Sequence, residues 1–383
     1  MSMRIIGLMV FGLVGCGTKS DEGPEGLPVL GSGSNDINRV NFRKVGDVDD
    51  GLNTPRDLEF NPGVSGELWV VNRTDDSVSI FSDAGTADQS SQHIIDPFAM
   101  HFMDEVSSIA FGDAMHEPTD ALNFGTCQES TNTYNGQGDA NYFMGPALWS
   151  SDPEIFGVSN QEAISGLSAM FGYYTDLGSH LDMLHESPLC MGIAHDYDNV
   201  YWVFDGYNES IYRYDFQEDH DPGWDDHSDG IMARYVEGEV AYVPDVPSHM
   251  VLDQDSRLLF IADTGNNRIA VLDTESGAQG DNLMTAEPGT THYEMDNAIL
   301  ATFIDGDDFG LVAPTGVDIV DGVLLVTDNE TSEVIAFDTN GEEIDRLYTG
   351  VESGSLMGIA ARSIEDIWLV SATENRLYRL QPR

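Results

Sequence analysis

A block of short apolar strands recurs along this chain, and the recurrence constrains the fold more than any other feature of the sequence. Its clearest copy reads Pro247-Ser-His-Met-Val-Leu-Asp253, then Leu258-Leu-Phe-Ile-Ala-Asp263, Thr264-Gly-Asn-Asn267 and Arg268-Ile-Ala-Val-Leu-Asp273. Strands rich in Val, Ile and Leu alternate there with Asp, Asn and Gly turns. The pattern returns at 55–60, 68–72 and 77–81, at 190–196, 200–205 and 210–215, at 314–319, 323–328 and 334–338, and at 356–360, 367–371 and 376–380. A degenerate copy occupies 106–111, 124–127 and 147–151. Six copies at a spacing of roughly 40 to 50 residues, longer where loops are inserted, predict an all-β fold: a six-bladed β-propeller in which each copy is one blade.

The best copy resembles the NHL repeat, whose signature is a Pro-x-Gly-Ile-Ala-Val-Asp opening, a strand ending in Ala-Asp, then Gly-Asn-x-Arg-Ile and a closing apolar strand. Cys190-Met-Gly-Ile-Ala-His-Asp196 and Leu356-Met-Gly-Ile-Ala360 repeat the opening. The last copy ends without a fourth strand of its own. Residues 40–45 are expected to supply it, which closes the ring and removes an exposed sheet edge. In such a ring the residues that open the innermost strands gather at one mouth of the central channel, here called the front face. These are Asp57, Ser108, Gly192, His249, Gly316 and Gly358. The ends of the second strands, Asn72, Asp205, Asp263, Asp328 and Ser371, share that side. Insertions at 129–143 and 157–189 map to it, and a third at 217–230 maps to the opposite face.

Arg4 precedes an apolar run over 5–14, too short to cross a bilayer as a helix and of the length of a signal-peptide core. The run ends in Leu13-Val14-Gly15-Cys16, which resembles the bacterial lipobox and implies a lipid on Cys16 that anchors the chain to a bilayer. Residues 17–35, rich in Gly, Ser, Pro and acids, read as a flexible tether without a core. The expected organisation is a signal peptide over 1–15, a lipidated tether over 16–36 and the propeller over 37–383, exported and membrane-anchored. An oxidising compartment disfavours free thiols. Cys127 ends a second strand and Cys190 opens the next blade, both at the front face, so a Cys127–Cys190 disulfide is expected.

The chain has 67 Asp and Glu against 16 Lys and Arg, a formal net charge of −51. So negative a surface repels phosphate backbones and excludes nucleic acid as a partner, while it attracts cations and basic partners and favours solubility.

Imidazoles and carboxylates at the front face make a candidate ligand or metal site. His249 replaces the Gly that opens a blade, His101 lies in the loop before the second blade, and His180 and His185 lie in the second insertion, with Asp205 and Asp263 beside them. Zinc needs three or four such donors at about 2.0–2.2 Å, whereas calcium takes oxygens. The Asp that ends each second strand also has a structural reading, as the cap of the following turn. A second candidate cation loop holds His220, Asp225, Asp226, His227 and Asp229. The NHL-like fold is shared with the lyase that cleaves peptidyl-hydroxyglycine, whose pore zinc is held by histidines at blade-opening positions. His249 alone stands at such a position here. The gluconolactonase-like propellers, similar in fold, place Glu, Asn and Asp around calcium. The expected function is a binding site for a protein, peptide or glycan at the front face; the alternative is a metal-dependent hydrolase or lyase using a divalent cation, zinc or calcium.

Overall fold

Each repeated block folds into an antiparallel sheet whose first strand lines a central channel. The computed structural model describes residues 27, 30–31, 35–116, 119–131, 143–159, 177–218, 220–224 and 227–383. Blade 1 comprises Pro55–Phe60, Leu68–Asn72, Ser77–Ser82 and Ser90–Ile95, and blade 2 comprises Val106–Phe111, Asn123–Gln128, Ala147–Ser150 and Asp182–Met183. Blade 3 is built from Cys190–His195, Val200–Asp205, Ser210–Asp215 and Ile231–Tyr235, and blade 4 from Met250–Asp253, Leu258–Asp263, Arg268–Asp273 and Ile299–Asp305. Blade 5 follows with Pro314–Val320, Val323–Asp328, Glu333–Phe337 and Glu343–Tyr348. Blade 6 takes Leu356–Ser363, Asp366–Ser371 and Arg376–Pro382 from the end of the chain and Val40–Gly46 from near its start. That last strand pairs antiparallel with Arg376–Pro382, from Val40 opposite Pro382 to Gly46 opposite Leu377, and closes the ring as expected.

The core lies between blades, because a single twisted sheet has two apolar faces and no other layer to cover them. Trp69 of blade 1 packs edge-on against Phe111 and Phe124 of blade 2. Trp368 of blade 6 meets Phe60 of blade 1 in the same way. Trp69, Trp202 and Trp368 occupy matching places on second strands, are almost wholly buried, and each indole N–H donates to an acid of the preceding turn: Glu67, Asp196 and Asp366. A buried indole needs such an acceptor, which is why an acid recurs there.

The structure departs from the sequence reading at three places. Between the third and fourth strands of blade 4 the chain forms a hairpin, Ala278–Asn282 with Thr291–Asp296, whose second strand adds in parallel to Ile231–Tyr235 and widens blade 3 to six strands. Blade 2 has a fourth strand of only two residues, Asp182–Met183, inside the stretch read as an insertion before blade 3. The connection ahead of that strand therefore leaves from the side opposite the front face, and only residues 184–189 return across the front. Finally, Leu30 is buried and Leu27 packs against the blade 5–blade 6 core, so the end of the expected tether contributes apolar contacts. Cys16 and most of the tether lie outside the described residues, as do residues 132–142 and 160–176 of the two expected front-face insertions.

Candidate functional site

The front mouth of the channel is filled by its own opening residues. His249 Nε2 lies 3.1 Å from the Ser107 carbonyl of blade 2, and His249 Nδ1 lies 3.6 Å from Asp57 Oδ1 of blade 1. A side chain at Gly192 would collide with the Ser248 carbonyl, and one at Gly358 with Asp57, so glycine is required where the inner strands converge. Behind this plug is a cavity of about 270 Å³, lined by Asp57, Glu59, His195, His249, Gln254 and Asp318 among others.

Three of these groups are carboxyls with a structural task, Asp57 buried and Glu59 and Asp318 half-buried at the channel wall. Inner strands of neighbouring blades do not pair, so their inward N–H groups need acceptors. Ile109 N–H donates to Asp57 at 3.1 Å, Phe111 N–H to Glu59 at 2.6 Å and Ala361 N–H to Asp318 at 2.7 Å, each bridging adjacent blades. Burial pushes Asp57 and Glu59 above the usual carboxyl range and Asp318 up to about 7, against the hydrogen bonds from Ala361 and Ile319 and with a smaller push from Asp57. A carboxyl raised in this way holds its proton more tightly folded than unfolded. Its stabilising contribution is complete below about pH 4 and is lost as pH rises through about 7. Relative to Asp318→Asn, the wild type is expected to gain on the order of 2–3 kcal/mol between about pH 8 and about pH 5. Burial, with a smaller push from His185 and His227, holds His101 down to about 3. It acts in the opposite sense, so the difference between wild type and variant is the readout, from denaturant melts across pH. A flat difference contradicts the account.

The front face carries a second, polar cavity of about 330 Å³. It is built by the loops that follow second strands and precede inner strands in blades 1 to 4, and Arg73 organises it. Arg73 Nε lies 3.2 Å from Glu129, and its Nη2 lies 3.2 Å from Glu105 and 3.1 Å from Asp245. Tyr242 donates its hydroxyl hydrogen to Glu129 at 2.7 Å, and the Asp245 N–H donates to the same oxygen at 2.7 Å. Beside this cavity Arg56, only 4% exposed, donates to the Asp245 carbonyl, and burial pulls its guanidinium down to about 10. Burial raises the Asp104 and Glu105 carboxyls. Arg73 ties Glu105, Glu129 and Asp245 together, and with Asp104 they leave a net acidic lining.

The residues singled out from sequence fall into separate groups. His249 stands in the channel. His101 lies on a short helix, Ala99–Phe102, with its ring 6.2 Å from that of His185. His180 stacks on Phe102 at 3.4 Å, and burial holds it well below its ordinary range. His185 stacks on Phe143 at 3.8 Å, with Nδ1 3.0 Å from Glu287 of the blade 4 hairpin. These three gather on the outer side of blade 2, and among the described residues no third donor joins His249 and Asp57 within metal-ligand reach. Asp205 accepts from Tyr207, Asn208 and Ser210, and burial raises it to about 7; Asp263 accepts from Ala241, Asn266 and Arg268. Both are saturated turn caps. His220, His227 and Asp229 of the candidate cation loop lie against the outer edge of blade 2, while Asp225 and Asp226 are outside the described residues. Cys127 and Cys190 form the expected disulfide, with their Cα atoms 5.1 Å apart. Arg56, Arg73, Glu129, Tyr242 and Asp245 had no motif to mark them.

No protein-family model matches the chain, and no curated protein matches it. Among solved structures, a protein of unknown function from Bacteroides thetaiotaomicron is similar at 9% identity over 93% of this chain and 75% of that one, with a TM-score of 0.50. Virginiamycin B lyase from Staphylococcus aureus is similar at 11% identity over 90% of this chain and 100% of that one, with a TM-score of 0.49. An auxiliary nutrient binding protein from Bacteroides ovatus gives 12% identity, 92% and 75% coverage and a TM-score of 0.44. At 9% identity the first of these bears on fold alone, and it agrees with the six sheets: the chain is a six-bladed β-propeller with blades of NHL-like pattern.

Proposed function

We propose that this chain is an exported, lipid-anchored propeller that binds a protein, peptide or glycan ligand in the polar cavity of its front face. The observation that carries the reading is the Arg73–Glu129–Asp245–Tyr242 lining, tied together by its own hydrogen bonds and ion pairs and open beside loops from four blades. Preorganised donors and acceptors in a concave site bind polar ligands with little ordering cost. The Cys127–Cys190 disulfide supports export, because such bonds persist in oxidising compartments. The lipobox-like Leu13-Val14-Gly15-Cys16 supports the anchor, and Cys16→Ser is expected to release the protein from membranes; unchanged detergent partitioning contradicts it.

The binding test screens the purified protein against immobilised glycans and peptides and repeats each hit with Arg73→Ala. Affinity is expected to fall about tenfold or more with the fold retained, since the substitution frees Glu105, Glu129 and Asp245 to move. Hits that bind the variant equally well place the ligand elsewhere. One observation favours a second reading, metal-assisted hydrolysis or lyase chemistry in the channel: His249 Nδ1 is buried without a hydrogen-bond partner beside Asp57. A stoichiometric ion lost in His249→Ala is the result that reading requires.

A further inference from the structure

We propose that Asp182, His220 and Asp229 form a divalent-metal site of the zinc class that clamps the loop between the third and fourth strands of blade 3 onto the outer edge of blade 2. Among the described residues, this is the one group of three His, Cys, Asp or Glu side chains whose donor atoms all lie within 4.8 Å of one another. His220 Nε2 stands 3.8 Å from Asp182 Oδ2 and 3.5 Å from Asp229 Oδ1. Ligands at about 2.0–2.1 Å around a tetrahedral ion stand roughly 3.3–3.4 Å apart, so the three side chains need to draw together to close on an ion, His220 the least toward Asp229.

The second observation is the state of these atoms. Asp182 is fully buried, and its Oδ2 has no hydrogen-bond partner; the same holds for His220 Nε2 and Asp229 Oδ1. A buried carboxylate oxygen without a donor is costly, and a cation placed among these three atoms satisfies all of them at once. The carboxylate is also aimed. Its other oxygen, Oδ1, lies 2.6 Å from His227 Nδ1 and accepts from the Met183 N–H at 2.6 Å, which turns Oδ2 toward His220. Such outer hydrogen bonds orient ligands in metal sites. Asp229 is held in turn, its Oδ2 accepting from the Glu218 N–H at 3.2 Å.

The donor set selects the metal. One imidazole nitrogen with two carboxylate oxygens suits zinc and its first-row neighbours, whereas calcium and magnesium seek oxygen-only shells of six or more. A fourth ligand would come from solvent, which the part-exposed His220 and Asp229 admit. The place also explains the need. The outer strand of blade 2 is two residues long, and the blade 3 loop reaches its flank through bonds such as Gly223 N–H to the His180 carbonyl at 2.8 Å. A metal bridging the two replaces the ladder that so short a strand lacks.

The test uses the full chain, freed of metal by chelation and titrated with zinc against a chromogenic chelator, in high salt and excess magnesium to suppress loose binding to the acidic surface. The wild type is expected to take one tight equivalent, to melt higher with zinc than without, and to show visible d–d bands with cobalt(II). His220→Ala and Asp229→Asn, both at part-exposed positions, are expected to keep the metal-free melting temperature and lose affinity by about tenfold or more. His249→Ala is expected to keep the equivalent. The proposal is overturned if the wild type binds no more zinc than His220→Ala, or if His249→Ala abolishes the equivalent.

Discussion

Deleting residues 37–46 is expected to leave the chain unable to fold cooperatively. This segment is the outer strand of blade 6, and it joins the two ends of the ring. Val40 is buried, Phe42 stacks on Tyr378 at 4.6 Å, and Arg43 Nη2 reaches the Gly85 carbonyl of blade 1 at 2.7 Å. A strand of seven residues in antiparallel register carries several ladder hydrogen bonds worth about 1 kcal/mol each, burying Val40 adds about 1.5–3 kcal/mol, and the half-buried Phe42 adds less. The sum is on the order of 5–10 kcal/mol, comparable to the whole stability of an ordinary domain. The deletion also uncovers the edge of Arg376–Pro382, an open template for aggregation. Circular dichroism melts and size-exclusion chromatography check this. A monomeric, cooperatively melting deletion variant contradicts closure by this strand.

The second large effect concerns the disulfide. Replacing both Cys127 and Cys190 by serine is expected to lower stability by about 2–4 kcal/mol, because the bond closes a loop across a sequence separation of 63 and ties blade 2 to blade 3. For a chain of this size that corresponds to a fall of about 3–6 °C in melting temperature. Calorimetry of the oxidised, reduced and doubly substituted proteins provides the measurement. An unchanged melting temperature, with two free thiols titrating in the unreduced wild type, runs against it.

What the sequence made legible was local. Each blade carries its own strand and turn pattern, so the six copies, their order and the positions opening each inner strand can be read from runs such as Leu258–Asp263 without any long-range information. Closure by Val40–Gly46 followed from counting strands, since the last blade was one short. Elements that depend on a neighbour could not be read in that way. Ala278–Asn282 is Ala-Gln-Gly-Asp-Asn, a polar and exposed strand with no alternation, and it exists because Thr291–Asp296, itself seated on the edge of blade 3, offers it pairing partners. Asp182–Met183 is too short for any periodic pattern.

The candidate sites divide in the same manner. His249 stood out because it broke an aligned position, and the histidines of the 217–230 loop stood out by density. Asp182, the acid that turns two of them toward a purpose, lies 38 positions before His220 and looked like any other acid in a chain that has 67 Asp and Glu. Arg73, Glu129 and the Tyr242–Asp245 loop come from three different parts of the ring, and only its closure brings them together. Arg73 carried one signal: in a chain with 16 Lys and Arg, it directly follows a second strand, at the front face.

The central claim, a ligand held at the front face, is tested most directly by hydrogen–deuterium exchange of the protein with and without a glycan or peptide that binds it. Added protection is expected in the segments around 104–105, 129–131 and 242–245 that line the polar cavity, with blades 5 and 6 unchanged. Protection confined to the channel residues around Glu59, His195 and Asp318, or absent from the front-face loops altogether, would contradict it.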